Sequence, residues 1–216
     1  MNWKFEEESI LRNYSKTTPC KEIFQAVCDE IGKYFTSKGW KYARSRPKIT
    51  FKNKDLKIEI AFWSSGSNTP GDFVNLEILP QIYSLELLNK LKSEGNKSKG
   101  HILSFIDLFY ERLETSEKGK KIILNALGEQ IERIDQYNLI PELIYNKSIN
   151  VYGLNENEFF KIIEFIERKI LVWFERINNI EQIDLFLKKL TERDKTRLKG
   201  GDFEKLIKLK YPDYKF

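Results

Sequence analysis

Lys48-Ile49-Thr50-Phe51-Lys52 and Leu56-Lys57-Ile58-Glu59-Ile60-Ala61-Phe62-Trp63 are two alternating runs of apolar and polar residues, separated by Asn53, Lys54 and Asp55. Alternation with period two turns one set of side chains toward a core and the other toward water. With Asn53-Lys54 read as a two-residue turn, Phe51 faces Leu56, Ile49 faces Ile58 and Lys48 faces Glu59. Both core faces and one charge pair then fall into register together. A slip of one residue destroys all three matches.

Working outward, Ser64 to Asp72 (Ser-Ser-Gly-Ser-Asn-Thr-Pro-Gly-Asp) reads as a loop, and Phe73 to Leu79 as a third strand that Pro80 ends or holds at an edge. Upstream, Thr18-Pro19 is a helix start, and Ile23, Phe24, Val27, Cys28, Ile31 and Phe35 recur at helical spacing up to a stop at Gly39. That spacing predicts a helix over 19–37. Downstream, Ser84 caps a helix to about Lys92, and Ser93 to Lys99 is a linker. Helical spacing predicts two further helices, His101 to Glu114 and Lys121 to Tyr137, joined by a polar turn from Glu114 to Lys120. Ile149 to Tyr152 reads as one more short strand. Asn155 with Glu158 makes a capping box, and Leu154 with Phe159 a hydrophobic staple, at the head of a central helix to about 175. Asn178 with Glu181 suggests a second box, Gly200-Gly201 a break, and 202–210 a short basic helix.

These elements predict an α+β fold: an antiparallel sheet of three to five strands packed against helices, with a helical C-terminal part. The helices of 19–37 and 156–175 cover one sheet face. The other face stays partly open, with Lys48, Thr50, Lys57, Glu59 and Trp63 outward. The organisation reads as an N-terminal arm (1–18), a single domain (19–190) and a basic C-terminal tail (191–216).

Composition narrows the chemistry. Among 216 residues, 41% hydrophobic and 32% charged, there are one His, two Cys and one Met, so few nucleophile or metal constellations can be assembled. Cys20 and Cys28 lie about 12 Å apart along one helix, beyond disulfide reach, and read as reduced packing thiols. No apolar run has membrane-spanning length, and the start Met1-Asn2-Trp3-Lys4-Phe5 lacks the apolar core of a secretory signal. The expectation is therefore a cytoplasmic protein with no membrane partner. Of the +5 net charge, the excess sits in residues 188–216, where ten Lys/Arg face five Asp/Glu. That segment reads as a solvated end.

Four features bear on function. His101 as a general base needs a group to hold its ring, and nothing near it in sequence supplies one. The loop of Ser64, Ser65 and Asn68 offers hydroxyls and an amide to a ligand, without the spacing of a phosphate loop or nucleophile elbow. Trp40-Lys41-Tyr42-Ala43-Arg44-Ser45-Arg46-Pro47-Lys48 mixes aromatics with cations beside outward Lys48 and Lys57, which suits either a nucleic-acid surface or a core plug with solvated charges. Carboxylate pairs such as Glu129/Glu132 and Glu164/Glu167 read as solvated helix faces. No catalytic residue, metal ligand or cofactor is expected.

Lys38-Gly39-Trp40-Lys41, Arg46-Pro47-Lys48-Ile49-Thr50-Phe51 and Trp173-Phe174-Glu175-Arg176-Ile177 together resemble a family of uncharacterised bacterial proteins sharing one domain of unknown function, over about residues 19–190. The resemblance brings no reaction or site residues with it. Such small domains look like those of bacterial conflict systems, where immunity proteins occupy a toxin's surface. Independently of the resemblance, the open sheet face and the loop from Ser64 to Asp72 suit a non-catalytic protein-binding module with Trp63 as aromatic anchor. The residues expected to take part in binding are Trp40, Arg44, Arg46, Lys48, Lys57, Trp63, Ser64, Ser65 and Asn68. The alternatives are a nucleic-acid-binding protein using segment 40–57 and the C-terminal tail, and an enzyme using His101 or a loop serine.

Overall fold

The alternating runs form the centre of the main sheet, and the turn between them sets its register. The structure, a computed structural model, describes residues 3–112, 120–135 and 142–216. Its first part runs α1 (Ile10–Asn13), α2 (Cys20–Ser37), β1 (Lys41–Ala43), β2 (Lys48–Lys52), β3 (Leu56–Trp63), β4 (Asn75–Ser84), α3 (Leu85–Ser93), β5 (His101–Ser104), α4 (Phe105–Leu108) and β6 (Tyr110–Arg112). Then come β7 (Lys120–Leu124), β8 (Gln130–Asp135), β9 (Glu142–Tyr145), β10 (Ser148–Asn150), α5 (Glu156–Ile166), a π-helical turn (Glu167–Leu171), α6 (Trp173–Arg176), α7 (Ile180–Lys189), α8 (Glu192–Leu198) and α9 (Asp202–Lys210).

The fold is α+β. The main sheet has six antiparallel strands in the order β1-β2-β3-β4-β10, with β5 also pairing β4. Its hairpin keeps the expected faces but not the expected partners: Phe51 pairs Ile58, Ile49 pairs Ile60, and Lys52 and Lys57 close the ladder. The two-residue turn is replaced by a longer one, in which the Asn53 side-chain oxygen accepts from the amides of Asp55 (2.9 Å) and Leu56 (2.7 Å). A primed two-residue turn needs positive φ, and among the described residues no non-glycine residue has it. The shift is two residues, so every side chain keeps its face. Lys48 still reaches Glu59 diagonally, at 3.3 Å.

Pro80 does not end β4; it lies inside it, paired with Ile60. Its nitrogen points to the same side as the amides of Ile78, which bonds Lys147, and Ser84, which bonds Gly100. β10 pairs β4 at 75–77 and β5 pairs it at 81–83, so Pro80 sits where no neighbour needs its missing N–H.

Among the described residues, the helices expected over 101–114 and 121–137 are instead the strands β5 to β8, apart from the short α4 and the turn over 125–129. With β9 they build a second sheet, β6-β9-β7-β8, and they add β5 to the first. Ile123, Leu127, Ile131 and Ile134 satisfy a helical template by spacing alone. Turn chemistry overrides it: Asn125 Oδ1 accepts from the amides of Leu127 and Glu129, and Gly128 adopts φ 80°. The expected polar turn at 114–120 and the helix end at Tyr137 fall outside the described residues, Lys120 excepted.

The caps of α5 and α3 follow sequence, but that of α2 does not: Pro19 is itself the N-cap, and Thr18 Oγ1 accepts from the Ser15 amide (2.9 Å) instead of capping the helix. Asn155 Oδ1 accepts from the amides of Asn157 and Glu158 while Glu158 accepts from the Asn155 amide, a reciprocal box; Ser84 Oγ caps α3. The cap of α7 is Asn179 rather than Asn178. The long helix expected to about 175 is α5, a π-helical turn at Glu167–Leu171 and α6 in succession.

One apolar cluster unites α2 (Ile23, Val27, Ile31, Phe35), α5 (Phe159, Ile162, Ile163, Ile166) and the inner sheet face (Ile49, Ile58, Ile60, Leu76, Ile78). Cys28 is buried in it, and burial with the neighbouring Asp29 pushes its thiol pKa up, away from reactivity. The terminal segments belong to the same cluster. Phe5 and Leu11 are buried, with Trp3 stacked on Phe159 at 6.1 Å. Leu198, Phe203, Leu206 and Ile207 are buried too, so residues 191–216 are not a solvated tail but two packed helices. Their cations are largely paired with carboxylates nearby, among them Lys195–Glu192, Lys205–Asp202 and Lys208–Glu204.

Gly32 marks a close approach of α2 to β1. A Cβ there would lie 2.4–2.7 Å from three ring atoms of Tyr42, whose hydroxyl is held by Asp29 (2.8 Å) and Gln25 (3.2 Å). Glycine-to-alanine in a helix ordinarily stabilises by about 1 kcal/mol. Overpacking costs about 1–3 kcal/mol, so Gly32→Ala is expected to destabilise by about 1 kcal/mol in urea unfolding. A gain in stability would show that the ring moves aside freely.

Candidate functional site

A cleft of about 660 Å³ opens where the start of α2, the β1–β2 turn, the end of β3 and the loop after it meet. Its apolar lining is Phe24, Pro47, Ala61, Phe62 and Trp63; its polar lining is Lys21, Ser45, Arg46, Lys48, Ser64, Ser65 and Asn68, with Gly66. Alternation along β3 explains the Trp63 position: Phe62 faces the core, so its neighbour faces out and is 63% exposed. The backbone amide of Phe62 bonds the carbonyl of Pro47 at 2.8 Å, which fixes the β1–β2 turn beside Trp63.

The loop over 64–72 is ordered by its own hydrogen bonds. Asn68 Nδ2 donates to Ser64 Oγ (2.8 Å), Asn68 Oδ1 accepts from the Asn75 amide (2.7 Å), and Asn75 Nδ2 donates to Ser65 Oγ (3.0 Å). Thr69 and Phe73 exchange backbone bonds across the loop, and Asn150 Nδ2 ties the carbonyl of Asp72 to β10. The Asn68 side chain thus holds the loop with both ends of its amide, rather than offering that amide to a ligand as the sequence suggests. Asn75, buried behind the loop, has no counterpart in the sequence reading; an asparagine inside a strand carries no signal for which loop it will hold.

Of the nine residues expected at a binding site, six line this cleft: Arg46, Lys48, Trp63, Ser64, Ser65 and Asn68. Trp40 does not. It is buried, 5.1 Å from both Phe35 and Phe51, and plugs the end of the core. Arg44 lies outside the cleft and pairs with Asp29 at 3.0 Å. The same carboxylate accepts the Tyr42 hydroxyl, and burial together with that bond raises the phenol pKa. Lys57 stands on the open sheet face, 3.6 Å from Glu59 and 4.1 Å above the Tyr83 ring. Lys21 and Phe24 join the site from α2, a meeting that only the helix-on-sheet packing creates.

Chemically, the lining contains no His, Cys, Asp or Glu. Ser64 and Ser65 each accept an amide proton and have no base beside them in the cleft. His101 is exposed at the start of β5 with its ring 5.3 Å from Tyr83, and is not part of the cleft. Among the described residues, no group of three His, Cys, Asp or Glu is placed to hold a metal ion, and no helix is long and apolar enough to cross a membrane. No family model, curated protein or solved structure matches this chain, so its site is read from its own geometry.

Proposed function

We propose that this chain is a non-catalytic protein-binding module, of the kind an immunity or inhibitor protein represents, acting by covering a surface of its partner. The observation that carries this reading is Trp63: a large aromatic ring left in water beside an apolar cleft whose loop is already locked in place. Aromatic side chains dominate binding energy at interfaces, and a preorganised loop loses little freedom on association. A lining without His, Cys, Asp or Glu supports recognition over chemistry. The nucleic-acid reading draws less support. Arg44 is paired with Asp29, Lys48 with Glu59, and the C-terminal cations are largely paired within packed helices.

The test is partner capture with the full chain against two surface variants, Trp63→Ala and Leu185→Ala. Leu185 is half-exposed on α7 and lines no part of the cleft. One stoichiometric protein should be retained by the wild type and Leu185→Ala, and bound about tenfold or more weakly by Trp63→Ala, as for an interface hot spot. Thermal unfolding of Trp63→Ala should stay close to wild type because the ring is exposed. Equal retention by all three proteins would remove Trp63 from any interface and sink the reading.

A further inference from the structure

We infer that the Trp63 cleft accepts an acidic linear segment of the partner, carrying one aromatic or aliphatic side chain as anchor; this rests on the protein-binding reading above and names its ligand class. The cleft's polar groups are biased toward donation. Ser64 Oγ and Ser65 Oγ each already accept an amide N–H, which leaves the hydroxyl protons to be donated. Both ends of the Asn68 amide are engaged within the loop. Lys21 and Arg46 add two positive charges that no carboxylate in the lining answers, and Lys48 lines the site beside them, paired with Glu59 outside it. Lys48 shares Glu59 with Lys57, whereas Lys21 and Arg46 have no ion-pair partner among the described residues. An occupant must therefore bring acceptors and negative charge.

The floor demands something else. Phe24, Pro47, Phe62 and Trp63 offer apolar surface that only an apolar group can cover favourably. A volume of about 660 Å³ lies within the range of ligand sites and exceeds any single side chain. An anchor residue with carboxylates on either side satisfies floor and rim together. A polynucleotide fits less well. It needs a continuous cationic track with stacking platforms, and the adjoining sheet face carries Glu59 and Glu77.

Fluorescence anisotropy with labelled peptides tests this on the full chain. The probes are a Phe flanked by Asp and Glu, the same peptide with Lys in place of the acids, the acidic peptide with Ala in place of Phe, and a single-stranded oligonucleotide. The protein variants are Lys21→Glu and Arg46→Glu, both at exposed unpaired positions, and their double variant. The acidic Phe peptide should bind best. It should lose about tenfold on Phe-to-Ala replacement and about tenfold again with the double charge reversal, and weaken several-fold as salt shortens the Debye length. The double variant should also release the captured partner, with its melting curve unchanged.

Equal or absent binding of the acidic and Lys peptides would overturn the inference, as would tighter binding of the oligonucleotide with a steep salt slope. If Trp63→Ala still releases the partner while the peptides show no charge preference, only the acidic class falls. If Trp63→Ala keeps the partner, the protein-binding reading itself falls.

Discussion

A chain ending at Gly201 is expected to lose its cooperative fold. The deletion removes α9, whose Phe203, Leu206 and Ile207 are all essentially inaccessible to water. Burying each such side chain contributes about 1.5–3 kcal/mol. The backbone freedom that the deleted residues regain is at least as large as that gain, so the damage comes from the surface left uncovered. The deletion also uncovers what α9 leaves behind: Trp173, whose ring lies 6.4 Å from Phe203, Phe186 at 5.9 Å, and the faces of α3 and β5 against which α9 packs. Exposing that core surface to water is expected to cost about 5 kcal/mol or more, comparable to the whole stability of a typical domain. Near-UV circular dichroism and urea unfolding provide the check. The truncated chain should show little fixed aromatic signal and no sharp transition, whereas a transition within about 1 kcal/mol of full length would show that 202–216 is an appendage after all.

Arg197→Met is the substitution with the largest expected effect at a single polar contact. Asp107 is buried, and its two oxygens have different partners. Oδ2 accepts from the amide and hydroxyl of Ser104 at 2.6 and 2.9 Å, and Oδ1 faces the Arg197 guanidinium at 2.9 Å. The pair joins α8 to α4. Removing one partner of a buried ion pair costs about 3–5 kcal/mol because the other is stranded. Arg197 is partly exposed, Ser104 remains, and the guanidinium meets Oδ1 as an ion pair without hydrogen-bond geometry, so the expected loss is about 1–3 kcal/mol, that of a buried polar atom left without its partner. Methionine preserves most of the aliphatic volume, which isolates the charge. Adding Asp107→Asn should recover part of the loss by removing the stranded carboxylate. If the double variant is no better than the single one, packing rather than charge governs this contact.

How legible these features are depends on the range of the interactions that make them. The capping box of Asn155 and Glu158, the Ser84 cap and the amphipathic face of α2 involve residues within a turn or two of one another. Their chemistry is complete in the local sequence. The faces of β2 and β3 are equally readable, since alternation survives a two-residue change of register. The partners across the hairpin are not. They depend on whether Asn53 closes a tight turn or uses its side chain to hold a wider one.

The strands that resemble helices in sequence do so for a related reason. Apolar residues at 123, 127, 131 and 134 fit a helix as well as two short strands, and the decision lies with Asn125 and Gly128 and with the neighbours that β7 and β9 find in each other. Net charge misleads in the same manner at the C-terminus. Counting cations from 188 onward suggests an end in water, yet Leu198, Phe203, Leu206 and Ile207 recur among those cations at a spacing that puts them on a buried face.

From local order alone, then, came the fold class, the main helix boundaries, the outward aim of Trp63 and the loop that follows it. Tertiary packing alone decided that Lys21 and Phe24 would stand opposite Arg46 and Trp63, that Asn75 would lock the loop, and that Trp40 would be interior. A side chain's direction is dictated by its neighbours in the chain, whereas a cleft exists only where segments distant in sequence are brought together by the burial of a shared core.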